Sequence, residues 1–303
     1  MTKKCNGIVT IDPLFDLSIG SEICFKTIAQ VNSDAYEKPD AVKNWGYFQG
    51  AILALAFNTK GGIQILGSAF MIAPGLALTA THIISEIVDD LQGGRIAPIC
   101  LGIRDKTIDV WKIGKITYNF DSDITFLSLV ASSGLPEDKT YYMFGISTRT
   151  PHQGEEIQII GFREKATAFS KNKFRFLASL YTSVGKVVEV YPYRRDNVML
   201  PFPTIQIDCG SLGCMSGGVA IDKNGLAVGL VSTSYDHEDK NGPTFISWII
   251  AALNIRIPLL WPSGMYPSTI TLLEMDDKLV FIDKREAISN ITETSYTYKI
   301  WFE

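Results

Sequence analysis

The sequence predicts an all-β protein built from two β units of similar size, and three observations support this fold class. Short segments that are apolar, or that alternate apolar and polar residues, recur along most of the chain between clusters of Gly, Pro, Asn and Asp. This pattern is typical of strands joined by turns. A turn-rich stretch, Thr148–Gly154, divides the strands into two series, and helical segments are few. The strand density of each series suits a barrel.

The first series lies before a linker at 131–153, and the second series follows it. The strands predicted in the first unit are Ala51–Phe57, Ile63–Leu66, Ser68–Ile72, Ala77–Thr79, Thr107–Trp111 and Thr125–Val130. Those predicted in the second unit are Ile157–Phe162, Phe174–Tyr181, Gly185–Val190, Thr204–Ile207, Val219–Ile221 and Ala227–Ser232. A turn signal at Asp222–Gly225 joins the last two strands into a hairpin.

Two segments have helical character. Thr81–Asp89 is compatible with a short helix, and the apolar segment Phe245–Ile255 predicts a short C-terminal helix that packs against the second unit. Pro258, Pro262 and Pro267 then break the chain.

The chain therefore divides into four parts. These are an N-terminal extension at 1–45, a first unit at 46–140, a second unit with its terminal helix at 141–263, and a C-terminal extension at 264–303. The C-terminal extension contains three possible strands, Thr269–Leu273, Lys278–Ile282 and Ser295–Phe302.

Composition excludes several classes of protein. The 303 residues are 46% hydrophobic and 20% charged, with a net charge of -4, so we expect globular units and no nucleic-acid partner. We find neither a signal-peptide pattern nor an apolar run long enough to span a membrane, and we expect a cytoplasmic protein. The five cysteines lack metal-ligand spacing and are odd in number, which favours reduced thiols and no metal or other cofactor.

Ser216 is the first candidate for chemistry, because it precedes two glycines at the start of the predicted hairpin. Ser-Gly-Gly by itself is a common turn sequence. A serine nucleophile needs a general base, and the chain has three histidines. His152 lies in the linker and His237 in a charged loop, whereas His82 ends an apolar hairpin that would bring it to a barrel rim.

Three segments resemble motifs of the chymotrypsin-like, or trypsin-like, serine peptidases. The segment GSAFMIAPGLALTATHI, which contains His82, resembles the segment around the family's catalytic histidine. Thr81 stands where the family has alanine. The family's aspartate motif resembles DSDITFLSL, with Asp123 in the aspartate position. The family's nucleophile motif resembles GCMSGGVAIDKNGLAVGLVS, with Ser216 as the nucleophile.

The resemblance covers about residues 46–256 and implies two six-stranded antiparallel barrels with the active site between them. It implies a triad in which Ser216 attacks, His82 acts as general base and Asp123 orients the histidine. It also assigns the oxyanion hole to the N–H groups of Cys214 and Ser216. The family normally has glycine where Cys214 stands, so we expect a strained or latent loop at this position.

Two further features follow from the resemblance. A cysteine nucleophile, Cys214 or Cys209, remains an alternative, because some viral relatives use cysteine, although the register favours Ser216. Met215 precedes the nucleophile where secreted relatives carry an aspartate, so activation by propeptide cleavage is not expected. This places the chain with the intracellular and bacterial branch of the family.

The substrate pocket is assigned by the same resemblance. Its base is expected near Gly210 and Ser211, and its walls near Ser232, Thr233, Ser234 and Thr244. None of these residues is acidic, and the nearest acidic residue is Asp208, so a small or medium uncharged side chain is expected before the cleaved bond.

Two functions therefore remain open. The first is a serine endopeptidase acting on protein or peptide substrates, regulated by a partner protein through the extensions or by a conformational change. The second is a catalytically silent, protease-like module that binds a peptide or protein. Neither hypothesis involves nucleic acid or a membrane.

Overall fold

The fold was analysed in a computed structural model. The residues that it describes are 6–9, 24–27, 35–36, 38–42, 48, 50–59, 62–104, 107–119, 121–132, 140–164, 178–234, 242–261, 268–275 and 280–283. The predicted strand Ser295–Phe302 and the candidate His237 lie outside these residues.

The described residues form sixteen strands and two short α-helices. The strands are β1 (Asn6–Val9), β2 (Cys24–Thr27), β3 (Asp40–Ala41), β4 (Ile52–Thr59), β5 (Gly62–Ala73), β6 (Leu76–Ala80), β7 (Pro98–Arg104), β8 (Thr107–Asn119), β9 (Ile124–Ala131), β10 (Thr140–Met143), β11 (Glu156–Glu164), β12 (Ala178–Tyr191), β13 (Thr204–Ile207), β14 (Val219–Ile221), β15 (Ala227–Ser234) and β16 (Thr244–Trp248). The helices are α1 (Thr81–Ser85) and α2 (Val88–Gln92).

The strands close into two six-stranded antiparallel barrels, which confirms the predicted fold class. In the first barrel the order is β4-β5-β6-β9-β8-β7, and β7 pairs back to β4. In the second barrel the order is β11-β14-β15-β16-β13-β12, and β12 pairs back to β11. Closure removes the free edges that an open sheet would expose.

Several element predictions need correction. Phe245–Trp248 belongs to strand β16, and only Ile249–Ala252 is helical, as one turn of 3-10 helix. The strand residues are buried on both faces, so their apolar run does not distinguish strand from helix. Strands β1, β2, β3, β7 and β10 were not predicted from the sequence, and the continuous strands β5 and β12 were each predicted as two segments.

The termini contribute to both barrels. Strand β1 pairs with β8, and β3 pairs with β12. In the C-terminal part, Thr269–Leu273 is not a strand, because it makes a single bridge at Ile270 and enters a 3-10 helix at Leu272–Glu274. The described part of Lys278–Ile282 makes one bridge, between Ile282 and Ile146. Among the described helices, none has the length and apolar character needed to cross a bilayer.

Candidate active site

His82 lies at the rim of the first barrel, where the chain leaves β6 and enters α1. Thr81 N–H donates to the main-chain oxygen of Asp123 at 3.1 Å. His82 N–H donates to the Asp123 carboxylate at 2.9 Å. These two hydrogen bonds fix the start of α1 against the turn that carries Asp123.

The imidazole of His82 contacts the carboxylate of Asp123 through Nδ1. The Nδ1 atom is 3.1 Å from Oδ1 and 3.0 Å from Oδ2. Because an ionised carboxylate only accepts hydrogen bonds, Nδ1 carries the proton in this contact and the lone pair of the neutral ring lies on Nε2. The His82 side chain is 41% exposed, so the basic atom belongs to an accessible ring.

Two opposing effects set the basicity of His82. Burial lowers the pKa of His82, but the hydrogen bond and negative charge of Asp123, with a contribution from Glu86, outweigh burial. The result is a pKa above the ordinary value of 6.5. Asp123 therefore stabilises the protonated imidazole, which is the form that a general base reaches after taking a proton.

Asp123 lies in a tight turn between β8 and β9 and has a φ of 36°, which is rare for a non-glycine residue. The Ser232 hydroxyl donates to its carboxylate at 2.5 Å. The Ser247 hydroxyl donates to the neighbouring carbonyl of Ser122 at 2.6 Å. Since Ser232 and Ser247 belong to the second barrel, both barrels hold the turn in place.

A β-bulge positions Ser232. The ladder between β15 and β16 pairs Val231 with Ile246 and then Thr233 with Phe245, which leaves Ser232 as the extra residue. A bulge redirects a side chain from the alternation of a regular strand. Here the hydroxyl of Ser232 reaches Asp123, and the main-chain oxygen of Ser232 remains available to a second group.

That second group is the hydroxyl of Ser216. Ser216 Oγ donates to the main-chain oxygen of Ser232 at 3.2 Å. Within the described part of the chain, Ser216 makes no hydrogen bond to His82, and the Ser216 N–H donates to no other group. Ser232 thus contacts both Ser216 and Asp123, so that hydrogen bonds link Ser216 of the second barrel to Asp123 and His82 of the first.

The loop before Ser216 is a turn with Cys214 at its third position. Met215 N–H donates to the Leu212 main-chain oxygen at 3.0 Å, which closes the turn. Cys214 has a φ of 69°. A positive φ at the third residue is the conformation of a type II turn, which usually has glycine there. The cysteine therefore adopts the geometry that the family gives to a glycine.

At its closest contacts with the barrels, the loop that carries Ser216 packs through glycines, which have no side chain. A Cβ atom on Gly161 of β11 would lie 2.9 Å from Met215 Cα, and one on Gly67 would lie 3.0 Å from the Ser216 main-chain oxygen. Gly217 has a φ of 79°, and a Cβ there would lie 2.1 Å from the Ser68 oxygen. These glycines allow the loop to approach both barrels closely.

The predicted pocket residues lie on three segments of the second barrel, which are the chain after β13, the end of β15 and the start of β16. Gly210 is buried, Ser211 is half-buried, and Thr244 is buried with its hydroxyl donating to the Cys209 main-chain oxygen at 2.7 Å. Asp208 is exposed, and its carboxylate accepts a hydrogen bond from the Lys186 N–H on β12. That contact directs the carboxylate toward β12.

The alternative nucleophile Cys209 is completely buried, and burial raises the pKa of its thiol to about 12. Such a thiol is almost entirely protonated near neutral pH and is therefore a poor nucleophile. Cys214 is half-buried beside Ser216. Met215 is completely buried, and its sulfur accepts a hydrogen bond from the Leu212 N–H at 3.3 Å.

Sequence reasoning missed three hydroxyl residues near the site. Ser68 and Thr79 lie in the first barrel, and Ser247 lies in the second. Thr79 Oγ1 donates to the Ser68 main-chain oxygen at 2.7 Å, and Ser68 in turn contacts the loop that carries Ser216. Ser68 follows the glycine of the quoted histidine motif, but its partner is 146 residues away and leaves no local signal.

A comparison of sequences relates this chain to a known family. A sequence model of the trypsin-like peptidase domain matches residues 67–230, just over half of the chain. No curated protein matches the sequence. Within the described residues, no group of three or more His, Cys, Asp or Glu side chains could hold a metal ion.

Two solved structures illustrate the similarity. The Rv3671c protease in its inactive form is 12% identical, with a TM-score of 0.42 over 66% of this chain and 84% of its own. Deg5 is 16% identical, with a TM-score of 0.48 over 71% of this chain and 92% of its own. The family assignment rests on the sequence match, and on that match the chain belongs to the trypsin-like peptidase family.

Proposed function

We propose that this protein is a serine endopeptidase that uses Ser216, His82 and Asp123. The observation that carries the proposal is the contact of His82 Nδ1 with both carboxylate oxygens of Asp123, at 3.1 and 3.0 Å. It fixes the ring with Nε2 as its basic atom, in a cleft that also contains Ser216. This is the tautomer that a general base for a serine hydroxyl requires.

In the proposed reaction, Ser216 Oγ attacks the carbonyl carbon of the scissile peptide bond while His82 Nε2 takes the hydroxyl proton. The hydroxyl must first leave the Ser232 oxygen, which it contacts at 3.2 Å. The N–H groups of Cys214 and Ser216 stabilise the oxyanion. His82 then protonates the leaving amine, and water releases the acyl group by the same steps in reverse.

The pocket geometry supports a preference for small or medium uncharged side chains before the cleaved bond. Gly210 carries no side chain, and the nearest carboxylate, that of Asp208, accepts the Lys186 N–H instead. Ser232, Thr233 and Ser234 form the facing strand end. A positively charged substrate side chain therefore has no carboxylate partner among the residues proposed for the pocket, Gly210, Ser211, Ser232–Ser234 and Thr244.

A silent binding module is the second candidate, because the Ser216 hydroxyl contacts Ser232 and not His82. Labelling with a fluorophosphonate probe separates the two functions, since the probe reacts only with an activated serine. We expect labelling of wild type and none of Ser216→Ala or His82→Ala. Peptide binding without labelling or turnover by the folded wild type would favour the module.

We also propose that a partner protein regulates turnover through the terminal segments, and that the protein acts in the cytoplasm. Strand β1 supports the first point, because Asn6 pairs with Tyr118 near the end of the strand that leads to Asp123. The free, buried thiols of Cys100 and Cys209 fit a reducing compartment. Deleting residues 1–9 should change the labelling rate if β1 transmits such a signal.

A further inference from the structure

Ser68 connects the first barrel to the loop that carries the proposed nucleophile. It lies in β5 and is completely buried. Its hydroxyl donates to the Cys214 main-chain oxygen at 2.8 Å and accepts from the Phe162 N–H at 2.7 Å. Its own N–H donates to the Ser216 main-chain oxygen at 2.8 Å. One serine thus holds the loop at two carbonyls and joins it to β11 of the second barrel.

These contacts fix the peptide group between Cys214 and Met215 at both ends. Its oxygen accepts from Ser68 Oγ at 2.8 Å, and its N–H donates to the Leu212 oxygen at 3.0 Å. The two torsion angles of Cys214, φ and ψ, relate this peptide group to the preceding one, which contains the Cys214 N–H. With one peptide group fixed, a change of φ from 69° therefore turns the Cys214 N–H to a different direction.

A cysteine does not hold this φ by its own preference. Positive φ brings Cβ too close to the backbone, and non-glycine residues adopt it only where the surrounding structure enforces it. The Ser68 hydroxyl supplies that enforcement. Without it, the Cys214 oxygen loses its hydrogen bond from Ser68, and rotation to a negative φ would relieve the strain while turning the Cys214 N–H to a new direction.

We propose that Ser68 is a positioning residue for the oxyanion hole, acting through the main-chain oxygen of Cys214. The inference rests on the proposed function, because an oxyanion hole is needed only for turnover. In this proposal, the side chain of Ser68 in the first barrel keeps Cys214 at a positive φ, which glycine usually adopts. Ser68 does not contact the substrate in this role.

The test compares four proteins: wild type, Ser68→Ala, Cys214→Gly and the double variant. The readout is the second-order rate of labelling by a fluorophosphonate, in which Ser216 Oγ bonds to phosphorus, fluoride leaves and His82 takes the hydroxyl proton. Loss of one oxyanion donor costs about 100- to 1000-fold, so we expect Ser68→Ala to label about 100-fold more slowly. Because glycine adopts positive φ without strain, the double variant should recover most of that loss.

A matched control is Ser128→Ala. Ser128 is also a completely buried serine on a first-barrel strand, and its hydroxyl also donates to a distant main-chain oxygen, that of Pro258. We expect it to lower thermal stability about as much as Ser68→Ala while labelling at the wild-type rate. A merely structural role for Ser68 would make the two variants behave alike.

The proposal is overturned if Ser68→Ala labels at the wild-type rate, or if the double variant labels about 100-fold more slowly than Cys214→Gly. The second comparison holds even if Ser68→Ala alone fails to fold. If folded wild type is not labelled, the proposed function fails, and the crystal structure of Ser68→Ala decides separately whether Ser68 holds the conformation of Cys214. A negative φ at Cys214 would support it, and an unchanged positive φ would overturn it.

Discussion

His82 is more basic than an ordinary histidine because Asp123 outweighs the effect of burial on its pKa. Only the neutral imidazole can accept the Ser216 proton, so kcat/KM should fall as pH drops through a pKa above 6.5. The measurement is kcat/KM against pH with an uncharged peptide ester. As a control, His152→Ala should leave the acid limb unchanged, because His152 is exposed and lies outside the site.

Asp123→Asn should move this acid limb to lower pH and slow turnover by about 10⁴-fold. Asparagine removes the charge and the hydrogen bond that raise the pKa of His82, while burial still lowers that pKa. Asp121→Asn is the matched control, since Asp121 lies in the same turn and its N–H donates to the Asn119 side-chain oxygen at 3.0 Å. An acid limb that stays in place in Asp123→Asn would contradict the role given to Asp123.

The same shift couples stability to pH. Because the folded pKa of His82 is raised, protonated His82 stabilises the folded state fully below pH 6.5, and this contribution is lost as pH rises through the folded pKa. The free energy of unfolding of His82→Ala should therefore lie further below that of wild type at acidic pH than at alkaline pH. Urea unfolding across that range measures the difference, and a gap that widens with rising pH would contradict the assignment.

Cys214 already has the positive φ that glycine would take, so the loop needs no rearrangement of the kind expected from the sequence. The strain of this φ is about 1–2 kcal/mol, and a glycine adds about 0.5–1 kcal/mol of chain entropy to the unfolded state. We expect Cys214→Gly to raise the free energy of unfolding by up to about 1 kcal/mol, with kcat/KM close to wild type. Urea unfolding and steady-state kinetics check both, and a large gain in kcat/KM would restore the latent-loop hypothesis.

Strand β11 approaches the nucleophile loop so closely that a single methyl group should displace the loop. In Gly161→Ala, the new Cβ would lie 2.9 Å from Met215 Cα and 3.0 Å from Ser68 Oγ. Overpacking of this kind costs about 1–3 kcal/mol, and we expect labelling of Ser216 to slow by about tenfold or more. Gly154→Ala is the control, because its φ is +83° but nothing lies within 4 Å of its Cβ. It should lower stability without slowing the labelling.

Sequence patterns located most strands because alternation and turn residues are local signals. They failed at β16, where Phe245–Trp248 is buried on both faces and the period of two disappears. They also failed at Ile270, where a single bridge ends in a 3-10 helix that begins with a capping box at Thr271. Whether an apolar run that is buried on both faces forms a strand or a helix depends on packing, and so does the start of a capped 3-10 helix. The periodicity of the sequence does not show either.

The candidate site, too, could be predicted only in part from the sequence. Resemblance pointed to His82, Asp123 and Ser216 because each lies in a quoted motif. The contacts that organise them are long-range: Ser232 reaches Asp123 from a bulge, and Ser68 reaches Cys214 across 146 residues. A bulge depends on the register between two paired strands, and the sequence of one strand alone does not determine that register.

Several hydrogen bonds that join the two barrels also hold the candidate site. Ser232 and Ser247 of the second barrel hold the Asp123 turn, and Ser68 of the first barrel holds the loop of the second. Loosening the barrel interface would therefore alter the general base and the oxyanion hole together. This geometry provides a physical route by which a partner bound to the terminal segments could control turnover.

The C-terminal segment returns from the second barrel to pack on the first and then reaches the linker. Trp261 packs edge-to-face on Trp111 of β8 with ring centroids 5.2 Å apart. Ile257 and Ile270 exchange two main-chain hydrogen bonds at 2.8 and 2.9 Å. Asp283 accepts the Thr148 N–H at 2.6 Å. The described residues of the predicted extension at 264–303, which are 268–275 and 280–283, therefore contribute to the core.

A chain ending at residue 263 should not fold into a stable protein. Truncation removes five buried apolar side chains, Ile270, Leu272, Met275, Val280 and Ile282. Burial of each such side chain contributes about 1.5–3 kcal/mol to the free energy of unfolding. The loss of all of them is comparable to the whole free energy of unfolding of a typical domain, about 5–15 kcal/mol. Near-UV circular dichroism and limited proteolysis would detect the loss of packing.

Asp283→Ala is the graded comparison: it removes hydrogen bonds to Thr148 but no buried apolar side chain, so it should cost about 1–3 kcal/mol and leave a folded protein. A truncated chain that unfolds cooperatively, with stability within about 3 kcal/mol of wild type, would show that this segment is dispensable for folding.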